Sequence, residues 1–108
     1  MVSETLSRII ALVAAADVRI SEHGYDELAE DGISVSDILD GVGAGRVVED
    51  YPGYPKGRSV LVFQLDHDGK PIHAVWGIPK GSDRPAVLVT AYRPDPARWD
   101  EKFMERRK

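Results

Sequence analysis

The sequence predicts an α+β domain: N-terminal short helices, a four-stranded twisted antiparallel sheet connected as a meander, and a C-terminal helix. Three observations support this prediction. Apolar residues recur with helical spacing near the N-terminus, period-two alternation marks four later segments, and an Asp68-Gly69 turn joins two of those segments. Helices that are segregated from a run of strands are typical of α+β folds. At 108 residues the chain has the size of one domain.

Three helices are expected in the first half of the chain. The first, over residues 3–16, starts near Ser3 and places four apolar residues on one face: Leu6, Ile9, Ile10 and Val13. Ser21 is a suitable N-cap for a second helix, which Gly32 ends in a left-handed conformation. Ser34 caps a third helix over residues 35–40, because Asp37 completes an acidic capping box.

The second half predicts strands and a final helix. The four strands are residues 46–50, 59–65, 71–78 and 86–92. Residues 17–20 are either a short extended link or an edge strand. Asp95 then caps a helix over residues 96–108, whose inner face carries Trp99 and Phe103.

Alternation along the strands places chemically interesting residues on one face. In the third strand His73 shares a face with Val75 and Gly77, and in the fourth Thr90 shares a face with Tyr92. If these two faces coincide on adjacent strands, His73, Thr90 and Tyr92 form one concave patch.

Charge and composition restrict the function classes. Residues 1–50 carry three arginines against eleven acids, and residues 51–108 carry eleven Lys and Arg against seven acids. The more basic second half is compatible with a phosphate-facing sheet or with ordinary solvated surface.

The absence of cysteine excludes disulfides and thiol catalysis. We expect a cytoplasmic protein, since no apolar run is long enough for a membrane span and the start lacks the basic character of a secretion signal.

Two histidines are candidates for acid–base chemistry. His23 lies in the first turn of the second helix, where the helix dipole favours an anion, so a neutral imidazole there would be suited to act as a base. His73 lies mid-strand and would be the partner acid. The alternatives are that His23 is a capping or exposed polar residue and that His73 is a hydrogen-bonded sheet residue.

Several other residues are candidates for substrate contacts. Arg93, Lys80 and Arg58 would supply positive charge to a phosphate, and Tyr92 would stack on a base or donate a proton. Thr90 would line the same patch, although Thr90 and Tyr92 also suit ordinary strand packing.

No cofactor or metal is expected. The side chains of His67 and its neighbours Asp66 and Asp68 diverge in the hairpin turn, as successive turn residues do, so they do not predict a metal site. The glycines at 41, 43 and 45 follow a helix and precede a strand, which is the reverse of a nucleotide-binding loop.

Several short motifs resemble domain-of-unknown-function family 4258. The motifs are His23-Gly24, Glu30-Asp31-Gly32-Ile33-Ser34, Val47-Val48-Glu49-Asp50-Tyr51-Pro52, Pro71-Ile72-His73-Ala74-Val75 and Val89-Thr90-Ala91-Tyr92-Arg93-Pro94-Asp95. The resemblance covers about residues 17–95 and excludes the N-terminal helix. It implies a likeness to ribonuclease toxins of the BrnT and RelE type, on the barnase–EndoU–colicin–RelE fold, acting without metal.

The chain departs from the family pattern at two positions. Members of the family that this chain resembles usually carry an arginine four residues after the helix histidine and another just before the Gly-Ile-Ser. This chain has Glu27 and Asp31 at those positions. A carboxylate at such a position repels a phosphate backbone.

Two functional hypotheses follow. The first is a toxin-like, metal-independent endoribonuclease, or a diverged RNA-binding relative, with His23, His73, Tyr92 and Arg93 as catalytic residues and RNA and an antitoxin as partners. The second is a non-catalytic module that binds a protein or a small molecule, in which an exposed Trp99 and Phe103 helix face also forms a homodimer contact.

Overall fold

The computed structural model describes residues 3–107, which form three α-helices, one short 3-10 helix and a five-stranded sheet. In chain order the elements are α1 (Glu4–Ala14), β1 (Val18–Ile20), α2 (Glu22–Asp31), α3 (Val35–Gly41), the 3-10 helix (Val42–Ala44), β2 (Arg46–Tyr51), β3 (Ser59–Leu65), β4 (Pro71–Gly77) and β5 (Ala86–Tyr92). None of the helices within residues 3–107 combines the length and apolar content needed to cross a membrane.

The sheet has the order β1-β5-β4-β3-β2. Strands β2 to β5 form the expected antiparallel meander. The expected number of four strands is wrong, because β1 adds a fifth at the edge, parallel to β5, with Val18 paired to Ala86 and Ile20 to Leu88. A three-residue strand is too short to give a clear alternation signal, which is why the sequence left this segment open.

The predicted caps Ser21 and Ser34 are confirmed, and Ser3 caps the helix that was expected to start near it. Ser3 accepts a hydrogen bond from the Leu6 N–H at 3.1 Å, Ser21 from Gly24 at 2.9 Å and Ser34 from Asp37 at 3.1 Å. Each hydroxyl satisfies a backbone donor that the first helical turn leaves free. Gly32 ends α2 in the left-handed region at φ 64°.

The helices cover one face of the sheet. Leu6 and Ile9 of α1, Leu28 of α2 and Ile38 of α3 belong to the same buried cluster as the sheet residues Val60, Val62, Ile72, Ala74, Trp76, Leu88 and Ala91. These sheet residues alternate with side chains that point to the other side. The opposite side, which we call the helix-free face, is therefore available for the rest of the chain or for solvent.

The expected C-terminal helix over residues 96–108 is wrong. The segment of residues 93–107, which we call the C-terminal segment, contains turns and a single antiparallel bridge. Asp95 does cap a turn, since its carboxylate accepts the Ala97 N–H at 2.9 Å and its carbonyl accepts the Trp99 N–H at 3.1 Å, but the turn is not continued. Phe103 has a φ of 58°, a left-handed conformation that is incompatible with an α-helix.

Local hydrogen bonds fold the C-terminal segment back on itself. The Asp100 carboxylate accepts the Met104 N–H at 2.9 Å, and Trp99 forms the bridge with Arg106. Asp side chains compete with helix formation by accepting hydrogen bonds from nearby backbone N–H groups, and this competition is not visible in the spacing of Trp99 and Phe103. The segment thus forms a compact loop instead of a rod.

Candidate functional site

The helix-free face carries three cross-strand rows of side chains. The first row is Arg46, Phe63, His73 and Tyr92; the middle row is Glu49, Leu61, Val75 and Thr90; the last row is Tyr51, Ser59, Gly77 and Val87. The predicted common face of His73, Thr90 and Tyr92 is confirmed, since Tyr92 pairs with His73 and Thr90 with Val75. The three rows run from a covered end to an open end.

The C-terminal segment covers the first row. The Trp99 ring stands edge-on to the His73 ring with centroids 4.5 Å apart, and the Phe103 ring stacks on Phe63 at 6.5 Å. Arg106 lies over the Trp99 ring at 4.8 Å and forms an ion pair with Glu49 at 3.2 Å. His73 has no solvent exposure as a result.

Both nitrogens of His73 are used in hydrogen bonds. Nε2 lies 2.7 Å from the Phe103 carbonyl, to which it must donate, and Nδ1 lies 3.3 Å from the Tyr92 hydroxyl, from which the neutral ring accepts. Burial lowers the pKa of His73, and the Phe103 carbonyl offsets part of that effect. The imidazole is therefore a neutral, fully bonded group that fastens the C-terminal segment to the sheet.

Tyr92 and Arg93 are also held by the protein. Tyr92 is half-buried, and burial raises the pKa of its hydroxyl. The Arg93 guanidinium lies 2.9 Å from the Asp66 carboxylate and donates to the Pro71 carbonyl at 3.2 Å, while its backbone N–H donates to Asp31 at 2.7 Å. The carboxylate at position 31 thus has a structural role in joining α2 to the end of β5.

His23 lies on α2, the element that packs on the helix-covered side. Its side chain is 66% exposed and lies 3.4 Å from the Glu27 carboxylate. The neighbouring Gly24 is buried, and a Cβ there would come within 3.0 Å of the Leu88 carbonyl and 3.2 Å of that of Val89. The His23-Gly24 motif therefore includes a close contact between α2 and β5, and the structure does not bring the two imidazoles together.

His67 lies against α3 rather than with the other candidates. Its two ring nitrogens face the Asp37 and Asp40 carboxylates, the second at 3.1 Å. It links the β3–β4 hairpin to α3.

The last row forms the floor of an open groove of about 640 Å³. Ser59 and Gly77 make the floor low, between the larger Tyr51 and Val87. The remaining lining comes from the loops and the neighbouring strand positions: Tyr54, Lys56, Gly57, Val75, Ile78, Pro79 and Val89. Most of these groups are apolar, and Tyr51 and Tyr54 are 44% and 51% exposed.

Arg58 and Lys80 lie beside this groove. They line an adjoining hollow of about 310 Å³, which shares Tyr54, Gly57 and Pro79 with the groove. Thr90, the third predicted binding residue, lies in the middle row between the covered end and the groove. The structure thus brings Arg58 and Lys80 together and places them away from His23 and His73.

The domain family DUF4258, a domain of unknown function, matches residues 20–93. The chain belongs to this family. Comparison with curated proteins and with solved structures gave no match. The predicted family is thereby confirmed, whereas the likeness to BrnT and RelE toxins stays a prediction. Neither α1 nor most of the C-terminal segment lies within the region that matches DUF4258.

Sequence reasoning missed the groove residues. Tyr51 and Tyr54 lie within a Pro- and Gly-rich stretch, residues 51–57, whose composition predicts only a loop, and Gly77 counts only as part of a strand alternation. Two tyrosines within four positions of this loop were the available signal. These tyrosines line a groove only because β2 pairs with β3 in a particular register, and alternation alone does not specify that register.

Proposed function

We propose that this DUF4258 domain is a non-catalytic binding module and that its ligand is a small organic molecule held in the groove of the helix-free face. The observation that supports this most is the groove of about 640 Å³ with tyrosines on one wall and valines on the floor and opposite side. Small-molecule sites commonly have volumes of roughly 300–1,000 Å³ and a mainly apolar lining.

The shape of the groove follows from residue size. Gly77 has no side chain, and Ser59 has a short one, so the centre of the last row lies lower than its two ends. Tyr51 and Tyr54 offer ring faces for an apolar body. The Tyr51 hydroxyl already donates to the Glu49 carboxylate at 2.7 Å, so Tyr54 is the tyrosine that offers its hydroxyl for a polar contact. Such a surface suits a flat apolar ligand that lies across β3, β4 and β5.

The ribonuclease hypothesis stays a prediction, and this geometry gives it less support. A general acid or base must reach the proton it transfers, directly or through one water. His73 has no exposure and both its nitrogens are bonded, while His23 lies beside Glu27 on α2. The predicted RNA and antitoxin partners likewise remain predictions. The exposed helix face that was expected to carry Trp99 is wrong, because Trp99 is buried against His73 in a segment that is not helical. The homodimer itself stays a prediction.

Filling the groove tests the proposal. A Cβ at Gly77 would meet only ordinary contacts, the nearest being the Ser59 hydroxyl at 3.4 Å, so a larger side chain there occupies the groove without disturbing the backbone. We expect Gly77→Leu to weaken the binding of N-phenyl-1-naphthylamine, a neutral apolar fluorophore, by at least about tenfold, the equivalent of burying roughly two fewer CH₂ groups. Fluorescence titration measures the change.

The matched control is Gly43→Leu, because Gly43 has open space around it and does not line the groove. Both variants are compared with the unchanged protein by thermal unfolding, so that loss of folding is recognised. A folded Gly77→Leu protein that binds the fluorophore as tightly as the unchanged protein contradicts the proposal, as does an unchanged protein that binds none.

A second measurement addresses catalysis. Under the binding-module proposal, purified protein leaves RNA intact in the presence of a metal chelator. Cleavage that is lost in Tyr92→Phe, a variant that removes only the hydroxyl facing His73, would restore the ribonuclease hypothesis.

A further inference from the structure

We infer that the ligand of the groove is a small amphiphilic anion with an apolar body and one anionic head group. This inference rests on the proposed function and specifies the ligand class. It concerns three basic residues that meet at one end of the groove. These are Lys56, which lines the groove, and Arg58 and Lys80, which line the adjoining hollow.

Backbone hydrogen bonds hold the two loops that carry these cations together. The Lys80 N–H donates to the Lys56 carbonyl at 3.2 Å, and the Ile78 N–H donates to the Arg58 carbonyl at 3.0 Å. Gly57 makes this approach feasible, since it has a φ of 130° and a Cβ there would lie 2.1 Å from the Ile78 carbonyl. The backbones of the two loops that carry these cations are therefore held together by a defined contact.

The charged side chains that line the groove and the hollow are of one sign, and the Glu49 carboxylate bonded to Tyr51 lies outside both linings. Within residues 3–107, the groove and the hollow are lined by Lys56, Arg58 and Lys80 and by no Asp or Glu. None of the three forms an ion pair with a described residue, whereas Arg84, Arg93 and Arg106 each do. The whole chain has a net charge of -4, so this concentration of positive charge runs against the average of the protein. A local positive field attracts an anion to this end of the groove.

The apolar lining of the rest of the groove suits the apolar body of the ligand. Val75, Val87 and Val89 form its apolar surface, with Gly77 between them, and the cations lie only at the end near Pro79. A nucleic acid strand needs positive charge repeated along its path, since each phosphate carries a charge. One cluster of cations beside an apolar floor favours a single head group joined to an apolar body.

Two fluorophores with nearly the same ring body test the inference. 8-Anilinonaphthalene-1-sulfonate carries one sulfonate, and N-phenyl-1-naphthylamine lacks it. We expect the sulfonate to bind about fivefold more tightly at low salt, as expected for two exposed cation–anion contacts of modest strength. The advantage should disappear at about 1 M salt, where the Debye length is roughly 3 Å. We expect the double variant Lys56→Gln and Lys80→Gln to remove the same advantage, which is measured as the ratio of the two affinities in each protein.

The matched control is Lys70→Gln with Lys102→Gln, which changes the net charge equally at exposed lysines that line neither cavity. Loss of the sulfonate advantage in both double variants would mean that overall charge causes it, and would overturn the inference. Equal affinity of the two fluorophores, with Gly77→Leu still weakening both, would overturn the inference while the proposed function stands. No binding of either fluorophore would remove the proposed function itself. A single-stranded oligonucleotide that displaces the sulfonate at lower concentration than a small carboxylate would replace this ligand class with a polyanion.

Discussion

The two ends of the helix-free face have the same strand alternation and different covers. At the first row, Trp99 lies over His73 and Phe103 lies over Phe63, and Trp99 is only 4% exposed. At the last row the groove is open, and Tyr54 is 51% exposed. One sheet face is thus divided into a packed part and an open apolar part.

This difference separates stability from binding. Apolar surface that is removed from water stabilises the fold, at about 25 cal/mol per Å². The first row gains this contribution within the chain, through the C-terminal segment. The last row gains it only if a ligand occupies the groove, so residues there are free to serve recognition.

The largest expected effect is at the covered end. Trp99→Ala removes the ring that packs on His73 and supports Arg106, and we expect it to lower the free energy of unfolding by about 3 to 5 kcal/mol. Urea denaturation measures this change. Tyr54→Ala at the open end serves as the control and should alter stability by no more than about 0.5 kcal/mol. Equal losses in the two variants would erase the distinction between the ends.

Replacing His73 should lower the free energy of unfolding by less than Trp99→Ala does, and replacing His23 should hardly change it. His73→Ala leaves the Phe103 carbonyl without its donor and opens a cavity under Trp99, so we expect a loss of about 2 kcal/mol. His23→Ala removes an exposed ring and should change stability by less than about 0.5 kcal/mol. A substantial loss from His23→Ala, matching that from His73→Ala, would indicate that His23 has a structural role that the geometry does not suggest.

The stability of the protein should also depend on pH through His73 at the covered end. Burial lowers the pKa of His73 from the ordinary 6.5. The unfolded state then binds the proton more readily, so the His73 contribution to stability is complete above about pH 6.5 and is lost as the pH falls below it. Glu49, Arg106 and Tyr92 are the charged and titratable groups that face the ring.

Thermal unfolding between pH 7.5 and 5.5 measures this effect, with a folded His73→Leu protein as the comparison. We expect the melting temperature of the unchanged protein to fall more steeply with acid than that of the variant. Parallel curves would show that the titration of His73 does not contribute to stability.

The smallest expected effect is at the open end. Gly77→Ala should leave stability within about 0.5 kcal/mol, because its Cβ would lie 3.4 Å from the Ser59 hydroxyl. Gly24→Ala should lower it by about 1 kcal/mol or more, since the same atom would lie 3.0 Å from the Leu88 carbonyl. Denaturation of the two variants side by side gives the comparison. A larger loss at Gly77 than at Gly24 would mean that the floor of the groove is tightly packed.

Local signals in the sequence predicted the helix starts well. Ser3, Ser21 and Ser34 each cap a helix through a hydrogen bond to the residue three positions later. Such a short-range relation can be recognised in the sequence. The common face of His73, Thr90 and Tyr92 also followed from alternation. Both features depend on short-range periodicity, which the backbone imposes wherever these elements form.

The errors concern contacts between distant parts of the chain. Trp99 and Phe103 have helical spacing, but Asp100 bonds the Met104 N–H and both rings pack on a sheet some thirty residues away in sequence. The environment of His73 depended on that packing, so its burial was not predictable from the strand alone. The groove likewise depends on Tyr51 reaching the same row as Gly77 through two strand pairings.

The region that matches DUF4258 ends at Arg93, one residue after Tyr92, yet the ring that shields His73 comes from further along the chain. The histidine therefore lies inside the family region, and the ring that covers it lies outside that region. A chain with the same strand and a different tail would present a solvated imidazole and a free tyrosine hydroxyl on an otherwise unchanged sheet.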